Sequence, residues 1–480
     1  MKDQRGLFRG LFLRETIAPS DFAGRRVTVM GLGLFGGGRG LTEALCRWGA
    51  DVTVTDMASE SKLAKSLEAL RGLPLRLVLG THEERDFREA DLVFANPAVP
   101  RTAPLLELCR SRGVPIETEM NLFFKLCRGR ICAVTGSNGK TTTTSLLAAM
   151  ARTERPTTRL GGNLGRSLLD EVETIAPDDW TILELSSFQL EDLASIERRP
   201  DIALVTNLSP NHLDRHGTYE RYTAAKRVAI EGARGHAVLC GDDTLVRSWG
   251  GLTARTRTYY GRANRVLPRA AGVWVVADDR VVAVGLENCR HEIELFSAAD
   301  LPLRGRFNLV NAAGAAAGAL ALGTTPDGVR AGVRSFRAIP HRLELVHAGE
   351  GIEWFNDSIA TTPESAICAL EALGPRVILI AGGSEKGSSF RHLGRVIALR
   401  SRAAILIGLT APKIRDAIRA ADREYPVTVE DSLASAVARA KQIADPGDRI
   451  VLSPACASFD MFVNFEDRGR QFTALARQER

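Results

Sequence analysis

Short apolar runs and longer amphipathic stretches alternate along the chain, and the alternation comes in three blocks. In the first, residues 27–30 (Val-Thr-Val-Met), 52–55 and 91–95 read as strands, with a helix over 41–48 between the first two. The second has strands over 131–134, 180–185 and 202–206 and a helix running through 146–150. Further on, Val273-Trp-Val-Val and Val281-Val-Ala-Val read as exposed antiparallel strands, and an Ala-rich helix opens after Gly305. The third block has strands over 354–355, 377–380, 404–407 and 450–452, again separated by helices. Strands alternating with helices fold as parallel sheets covered by helices, so the fold class is α/β. A chain of 480 residues exceeds what one core organises, and the expected division is 1–115, 116–338 and 339–480.

The turns between these elements carry the candidate chemistry. Residues 130–144 contain a strand, the small polar turn Thr135-Gly136-Ser137-Asn138-Gly139, then Lys140 and Thr141 at the start of a helix. Gly136 and Gly139 let backbone N–H groups converge on an anion, the helix start adds its dipole, Lys140 adds a full charge and Thr141 offers a hydroxyl to Mg²⁺. The match to the general phosphate-loop pattern is incomplete, because Val134 stands where that pattern has its first glycine. The strand at 180–185 ends at Glu184, and that at 202–206 runs into Asn207 and His212. Ends of parallel strands converge on one crevice, so Lys140, Glu184 and His212 are expected to meet, the last two as magnesium ligands.

Earlier, Gly31-Leu-Gly33-Leu34-Phe35-Gly36 forms a glycine turn after a strand, and Asp56 ends the next strand at the distance where a dinucleotide fold places its ribose-binding acid. By itself this turn leaves NAD, FAD and UDP open. The rigid loop Asn96-Pro97-Ala98-Val99-Pro100 is placed to line the same edge.

Composition narrows the reading without redirecting it. With 45% hydrophobic and 25% charged residues the chain is an ordinary soluble globular protein, and a net charge of +6 with no basic tract gives no reason to expect a nucleic-acid partner. Eight cysteines without CxxC spacing argue against a disulfide framework or zinc site and for reduced thiols in the cytoplasm. Arg9 and Arg14 interrupt the apolar residues near the start, which read as a surface lead-in, and no stretch is apolar enough to span a membrane.

Taken together, Thr135-Gly-Ser-Asn-Gly-Lys-Thr-Thr, Gly161-Gly-Asn-Leu-Gly, Leu183-Glu-Leu-Ser-Ser-Phe-Gln-Leu, Asn207 through His212-Leu-Asp-Arg-His, and Tyr222-Thr-Ala-Ala-Lys226 resemble the Mur ligases, which build the peptide stem of bacterial peptidoglycan. The resemblance runs in order from about residue 27 to 472. It implies a Rossmann-like N-terminal domain for a UDP-linked substrate, a central ATPase domain of P-loop type and a Rossmann-like C-terminal domain for an amino acid. ATP with Mg²⁺ converts a substrate carboxylate to an acyl phosphate, which an incoming amine displaces. Lys140, Glu184, His212 and Lys226 are the implied catalytic residues. Thr141, Glu184, His212 and Lys226 as a carbamate are the implied metal-binding set. ATP would contact Gly136, Ser137, Asn138, Gly139, Lys140, Thr141, Thr142, Asn308, Asn311, Arg342 and Asp357. Gly33, Leu34, Phe35, Asp56, Asn96, Pro97, Ala98, Asn163, Ser186 and Gln189 would contact the UDP-muramoyl substrate.

The C-terminal motifs Asn356-Asp-Ser-Ile-Ala-Thr361, Gly382-Gly-Ser-Glu-Lys386-Gly387 and Ser453-Pro-Ala-Cys-Ala-Ser458, the last continuing through Phe465 and Arg468 to Gly469, look most like the branch that adds D-glutamate to UDP-N-acetylmuramoyl-L-alanine (UDP-MurNAc-L-Ala), with Thr361 and Lys386 at one carboxylate of the amino acid and Ser458 and Phe465 at the other. Ile359 departs from that branch, which carries Lys there. Addition of L-glutamate to the same acceptor is therefore an alternative, and a folylpolyglutamate synthetase-like ligase a more distant one. A Rossmann oxidoreductase would leave the Gly-Lys-Thr loop without a use. The partners expected are small molecules only, and the expected state is a monomer.

Overall fold

The computed structural model describes residues 17–33, 36–165, 167–231, 233–252, 256–263, 271–286, 291–303, 305–337, 340–384 and 388–478. Three sheets organise them. The first has five parallel strands in the order Leu75–Leu79, Asp51–Asp56, Arg26–Met30, Leu92–Ala95 and Ile116–Glu117. Its central strands are covered on both faces: Val27, Thr28, Val29, Val52, Val54 and Leu92 are all buried. The strand order reverses between Arg26–Met30 and Leu92–Ala95, and a parallel sheet opens a ligand crevice at the carboxyl end of such a pair. The glycine turn and the Asn96 loop leave the sheet there.

The second sheet has nine strands. From one edge they are Arg159–Gly162, Trp180–Glu184, Arg130–Thr135, Ile202–Val205, His236–Cys240, Thr256–Arg262, Gly272–Val275, Arg280–Val284 and Ile293–Ser297. The strands from Arg159–Gly162 through Gly272–Val275 run parallel, and Arg280–Val284 turns back antiparallel. The two stretches read as exposed antiparallel strands do pair antiparallel, but they are not exposed: Val273, Trp274, Val275, Val281, Val282 and Ala283 are buried. Apolar residues at successive positions are what a strand covered on both faces requires, whereas a half-exposed strand would alternate with polar ones. The Ala-rich helix Arg306–Ala321 lies against this sheet along its later turns. A Cβ at Gly314 would come within 2.7 Å of the Tyr260 ring, so only glycine fits at that crossing.

The third sheet has six strands, ordered Glu344–Gly349, Ile352–Asn356, Arg449–Leu452, Val377–Gly382, Ala403–Ile407 and Val427–Val429. All pairs but the first are parallel. By internal contacts the chain forms two compact units, one holding the first two sheets (up to Leu295, with Asn311–Gly332) and one holding the third (Phe296–Val310 and Val333 onward). Cys46, Cys109, Cys127, Cys132, Cys240, Cys368 and Cys456 are free thiols. Among the described residues no helix is long and apolar enough to cross a membrane.

Candidate active site

The phosphate loop follows the central strand Arg130–Thr135, whose residues from Ile131 on are fully buried. Val134 belongs to that strand and pairs with Glu184 across to the next one, so the missing glycine of the general pattern falls inside regular structure. The turn itself needs its two glycines. Gly136 has φ +143 and a Cβ there would collide with Thr206 Oγ1; Gly139 has φ +79 and its Cβ would collide with Asn311 Oδ1. The neighbouring strand end holds the loop from outside. Asn207 accepts the Ser137 N–H on its carbonyl (2.7 Å) and the Asn138 N–H on its side chain (3.0 Å), and Thr206 Oγ1 donates to the Asn138 carbonyl at 2.7 Å.

Helix Lys140–Arg152 begins directly after Gly139. Lys140 Nζ curls back onto the Ser137 carbonyl (2.8 Å). One residue further, Thr141 Oγ1 donates to Glu184 Oε2 at 2.7 Å, and Asn163 Nδ2 donates to Glu184 Oε1 at 3.0 Å. Glu184 is buried at the carboxyl end of its strand. Of Lys140, Glu184 and His212, which are expected to meet, Glu184 is joined to the phosphate-loop helix through Thr141 and also to Asn163, and Lys140 stands one residue before Thr141.

Lys226 comes from helix Tyr219–Glu231 and is only 2% exposed. Its Nζ lies 3.2 Å from Thr135 Oγ1 and 5.0 Å from the centre of the Tyr222 ring, one helical turn earlier. Burial, and then the nearby Lys140 charge, push its pKa well below that of an ordinary lysine, against the opposing pull of Glu184. Tyr222 ties this helix to the loop through a 2.8 Å hydrogen bond with Ser137 Oγ, and burial raises its phenol to about 12.

His212 stands differently from the expectation. It is exposed, in left-handed conformation (φ 52°) ahead of the short helix Leu213–His216, with its ring edge-on to Phe188 at 5.0 Å. Phe188 also stacks on His216 and lies under the Arg215 guanidinium, 4.1 Å from its centre. Among the described residues no three His, Cys, Asp or Glu side chains form a closed metal site. The donors that do meet, a hydroxyl and a carboxylate, are oxygens of the kind Mg²⁺ takes when phosphates and water complete its shell.

At the first sheet, Gly31, Gly33 and Gly36 all have positive φ. Asp56 accepts the Gly33 N–H (3.2 Å) and the Ala58 N–H (2.8 Å), so its carboxylate shapes the turn. Asn96 reaches the Gly31 carbonyl at 3.3 Å and caps Ala98 N at 3.0 Å, while the Pro97 carbonyl accepts from Arg215. Ser186 and Gln189 form a reciprocal cap on helix Ser187–Leu193, a structural use for both. Leu34 and Phe35 lie outside the described residues, as does Lys386.

In the third sheet, Asn356 ends one strand and Asp357 and Ser358 follow it, while Ser453 follows the neighbouring strand. Asp357 is buried; it accepts from Ser453 Oγ (2.7 Å) and from Leu343 N (3.2 Å), and burial raises its carboxyl to about 7 despite the nearby Arg342. Thr361 is half-buried and its N–H bonds the Ile359 carbonyl; Asn308 and Ser458 are buried. The residue missed from sequence is Arg468. It is completely buried, and it ties Ser358 (Oγ at 3.0 Å, carbonyl at 2.9 Å) to the Cys456 carbonyl (3.2 Å) and the Ala457 carbonyl (3.4 Å), next to Ser458. Ser358 Oγ in turn bonds the carbonyl of Phe465. Asn207, which holds the phosphate loop, and Tyr222, which ties it to the Lys226 helix, also have contacts that their motifs do not predict. The spacing of Tyr222 one turn before Lys226 was the available signal for the latter.

The Mur ligase middle domain family matches residues 134–319, and the Mur ligase glutamate ligase domain family matches residues 341–456. The UDP-N-acetylmuramoylalanine–D-glutamate ligase of Roseiflexus sp. (strain RS-1) is 44% identical over 462 residues, covering 95% of this chain and 99% of that protein. The enzyme of the same name from Symbiobacterium thermophilum is 38% identical, over 94% and 97% of the two chains. The chain belongs to the Mur ligase family. Among solved structures, this Mur ligase shares its fold with the UDP-N-acetylmuramate-alanine ligase of Thermotoga maritima (TM-score 0.62, 19% identity, 94% and 98% of the two chains covered). MurF from Acinetobacter baumannii has a TM-score of 0.57 at 14% identity, covering 96% of this chain and 93% of the other.

Proposed function

We propose that this Mur ligase joins D-glutamate to UDP-MurNAc-L-Ala at the expense of ATP, as a cytoplasmic step of peptidoglycan precursor synthesis. The observation that carries the chemistry is the Thr141–Glu184 pair on the phosphate loop, with the buried Lys226 beside it. A carboxylate oxygen of the alanyl group attacks the γ-phosphorus, forming an O–P bond as the bond to the β-phosphate oxygen breaks and ADP leaves. The amine of D-glutamate then attacks the acyl carbon, the C–O bond to phosphate breaks, and the nitrogen gives up a proton. Lys140 balances the charge of the transferring phosphoryl group. Thr141 and Glu184 would hold Mg²⁺, with His212 turning in from its loop, and the ion would supply charge neutralisation between the phosphates and the carboxylate.

Burial disfavours the protonated form of the Lys226 amine, and the unprotonated form is a nucleophile toward CO₂. The product is a carbamate plus a released proton, and it replaces a cation that a metal ion would repel with an anion that it attracts. The glycine turn with Asn96 takes the UDP end of the acceptor, Asn163, Ser186 and Gln189 its muramoyl-alanine end, and Asn308, Asn311, Arg342 and Asp357 the nucleotide. Thr361, Lys386, Ser458 and Phe465 take glutamate, with the half-buried Ile359 in place of a lysine. The corresponding functional division is 1–115, 116–338 and 339–480, in a monomer. Phosphate release with ATP, Mg²⁺ and UDP-MurNAc-L-Ala tests the reading. Release that requires D-glutamate supports it, an equal response to L-glutamate removes the stereochemical assignment, and release independent of any amino acid removes the ligase assignment.

A further inference from the structure

The second glycine turn, residues 161–165, together with Ser167 touches both ends of the site in the unit that carries the first two sheets. At one end it is moulded onto Glu184. Asn163 donates its backbone N–H to the Glu184 carbonyl (2.8 Å) and its side-chain amide to the carboxylate (3.0 Å), and Gly162 lies so close that a Cβ there would collide with the same carbonyl. At the other end it abuts the helix that follows the nucleotide turn. A Cβ at Gly36 would collide with the Gly165 carbonyl, and one at Gly40 with the Ser167 side chain. Arg47, at the far end of that helix, donates to the Leu169 carbonyl at 3.1 Å.

Ser167 is the pin between them. It is buried, its Oγ accepts the Leu169 N–H (3.3 Å), and it donates to Glu119 Oε1 at 2.6 Å. Glu119 opens helix Glu119–Leu126, and its other carboxylate oxygen would lie 3.6 Å from a Cβ at Gly37. The mechanism above gives Ser167 and Glu119 no use, yet their bond anchors a set of contacts that runs from Gly36 and Gly40 through Gly165 and Ser167, and from Asn163 to Glu184 and Thr141.

We propose that Ser167 and Glu119 are positioning residues which fix this turn as a strap, so that one piece of backbone sets both the cradle for the UDP-linked substrate and the aim of the Glu184 carboxylate at the metal–nucleotide site. The inference rests on the functional reading for the identity of the two ligands. The contacts that join the two sites do not depend on it.

Two binding measurements on the full chain test it without turnover. Calorimetry follows UDP-MurNAc-L-Ala, and electron paramagnetic resonance follows Mn²⁺ binding in the presence of a non-hydrolysable ATP analogue. Ser167→Ala is expected to weaken both by about tenfold, the scale of one buried hydrogen bond. Gly36→Ala, which pushes on the Gly165 carbonyl from the other side, is expected to do the same. Glu119→Gln keeps an oxygen to accept from Ser167 and is expected to stay within about twofold of the unsubstituted protein on both, while Glu119→Ala follows Ser167→Ala. Weakening of only one of the two by Ser167→Ala, or a Glu119→Gln as defective as Glu119→Ala, would overturn the proposal. If the unsubstituted protein fails to bind UDP-MurNAc-L-Ala, the functional reading falls. The Mn²⁺ arm then still decides whether Ser167 aims Glu184: unchanged Mn²⁺ binding in Ser167→Ala overturns the strap, and weakened binding supports its hold on Glu184.

Discussion

Replacing Asp357 by Asn should change how stability depends on pH more than stability itself. The carboxyl is 5% exposed, and burial moves it from the ordinary 3.8 to about 7. The folded protein therefore keeps a proton that the unfolded chain gives up. Below pH 3.8 both states are protonated and nothing is lost; between 3.8 and 7 the unfolded state ionises first and stability falls; above 7 the loss is constant. The full loss corresponds to about 4 kcal/mol. Asparagine has no proton to lose, and it can accept from Leu343 N and donate to Ser453 Oγ with its amide, so its own cost should be within about 1 kcal/mol. Calorimetric melts at pH 4 and pH 8 provide the assay, because all other titrating groups are common to both proteins. The variant should melt close to the unsubstituted protein at pH 4 and roughly 10 °C above it at pH 8 for the transition of the unit holding the third sheet. Stability profiles that run parallel from pH 4 to pH 8 would refute the assignment of a proton to Asp357.

Three further outcomes follow from the site. Lys226→Ala should abolish phosphate release, and a short carboxylic acid added at high concentration should restore part of it; full activity without added acid would exclude the carbamate. Gly139→Ala, which combines a positive φ with a collision at Asn311, should weaken nucleotide binding by roughly 30-fold or more, read by fluorescent ATP titration, with unfolding of the loop checked by proteolysis. Arg468→Lys leaves a charge but loses the planar fork that joins Ser358 to Cys456 and Ala457, so KM for D-glutamate should rise about tenfold while KM for ATP stays near normal; equal changes in both would mean that Arg468 only supports folding.

The parts of this account visible in the sequence are those written in local patterns. Strand, glycine turn and helix at 130–144 identify themselves because periodicity, φ-permissive glycines and Lys140 fall within one short segment. Glu184 could be joined to them because parallel strands deliver their ends to one edge. The burial of Lys226 could not be read that way, since its helix presents Lys226 to the interior only once Thr135 and Tyr222 are in place. Arg468 was hidden for the same reason: a residue that hydrogen-bonds carbonyls of two distant loops leaves no spacing in its own segment. The stretches 273–276 and 281–284 read as exposed antiparallel strands, whereas Val273 to Val275 and Val281 to Ala283 are buried, because continuous apolar runs belong to a sheet covered on both sides. Asp56 was legible in position, while its engagement with the Gly33 N–H depends on the turn's three-dimensional path.

In the proposed reaction the loop carrying Lys140 and Thr141 directs the γ-phosphate onto a carboxylate before the amide forms. Supplying UDP-MurNAc-L-Ala labelled with ¹⁸O in its alanyl carboxylate, with unlabelled ATP and D-glutamate, tests this most directly. Each phosphate released should carry one oxygen from that carboxylate, detected by mass spectrometry, with an amide-linked product formed in equal amount. Release of unlabelled phosphate alongside the amide product would contradict it.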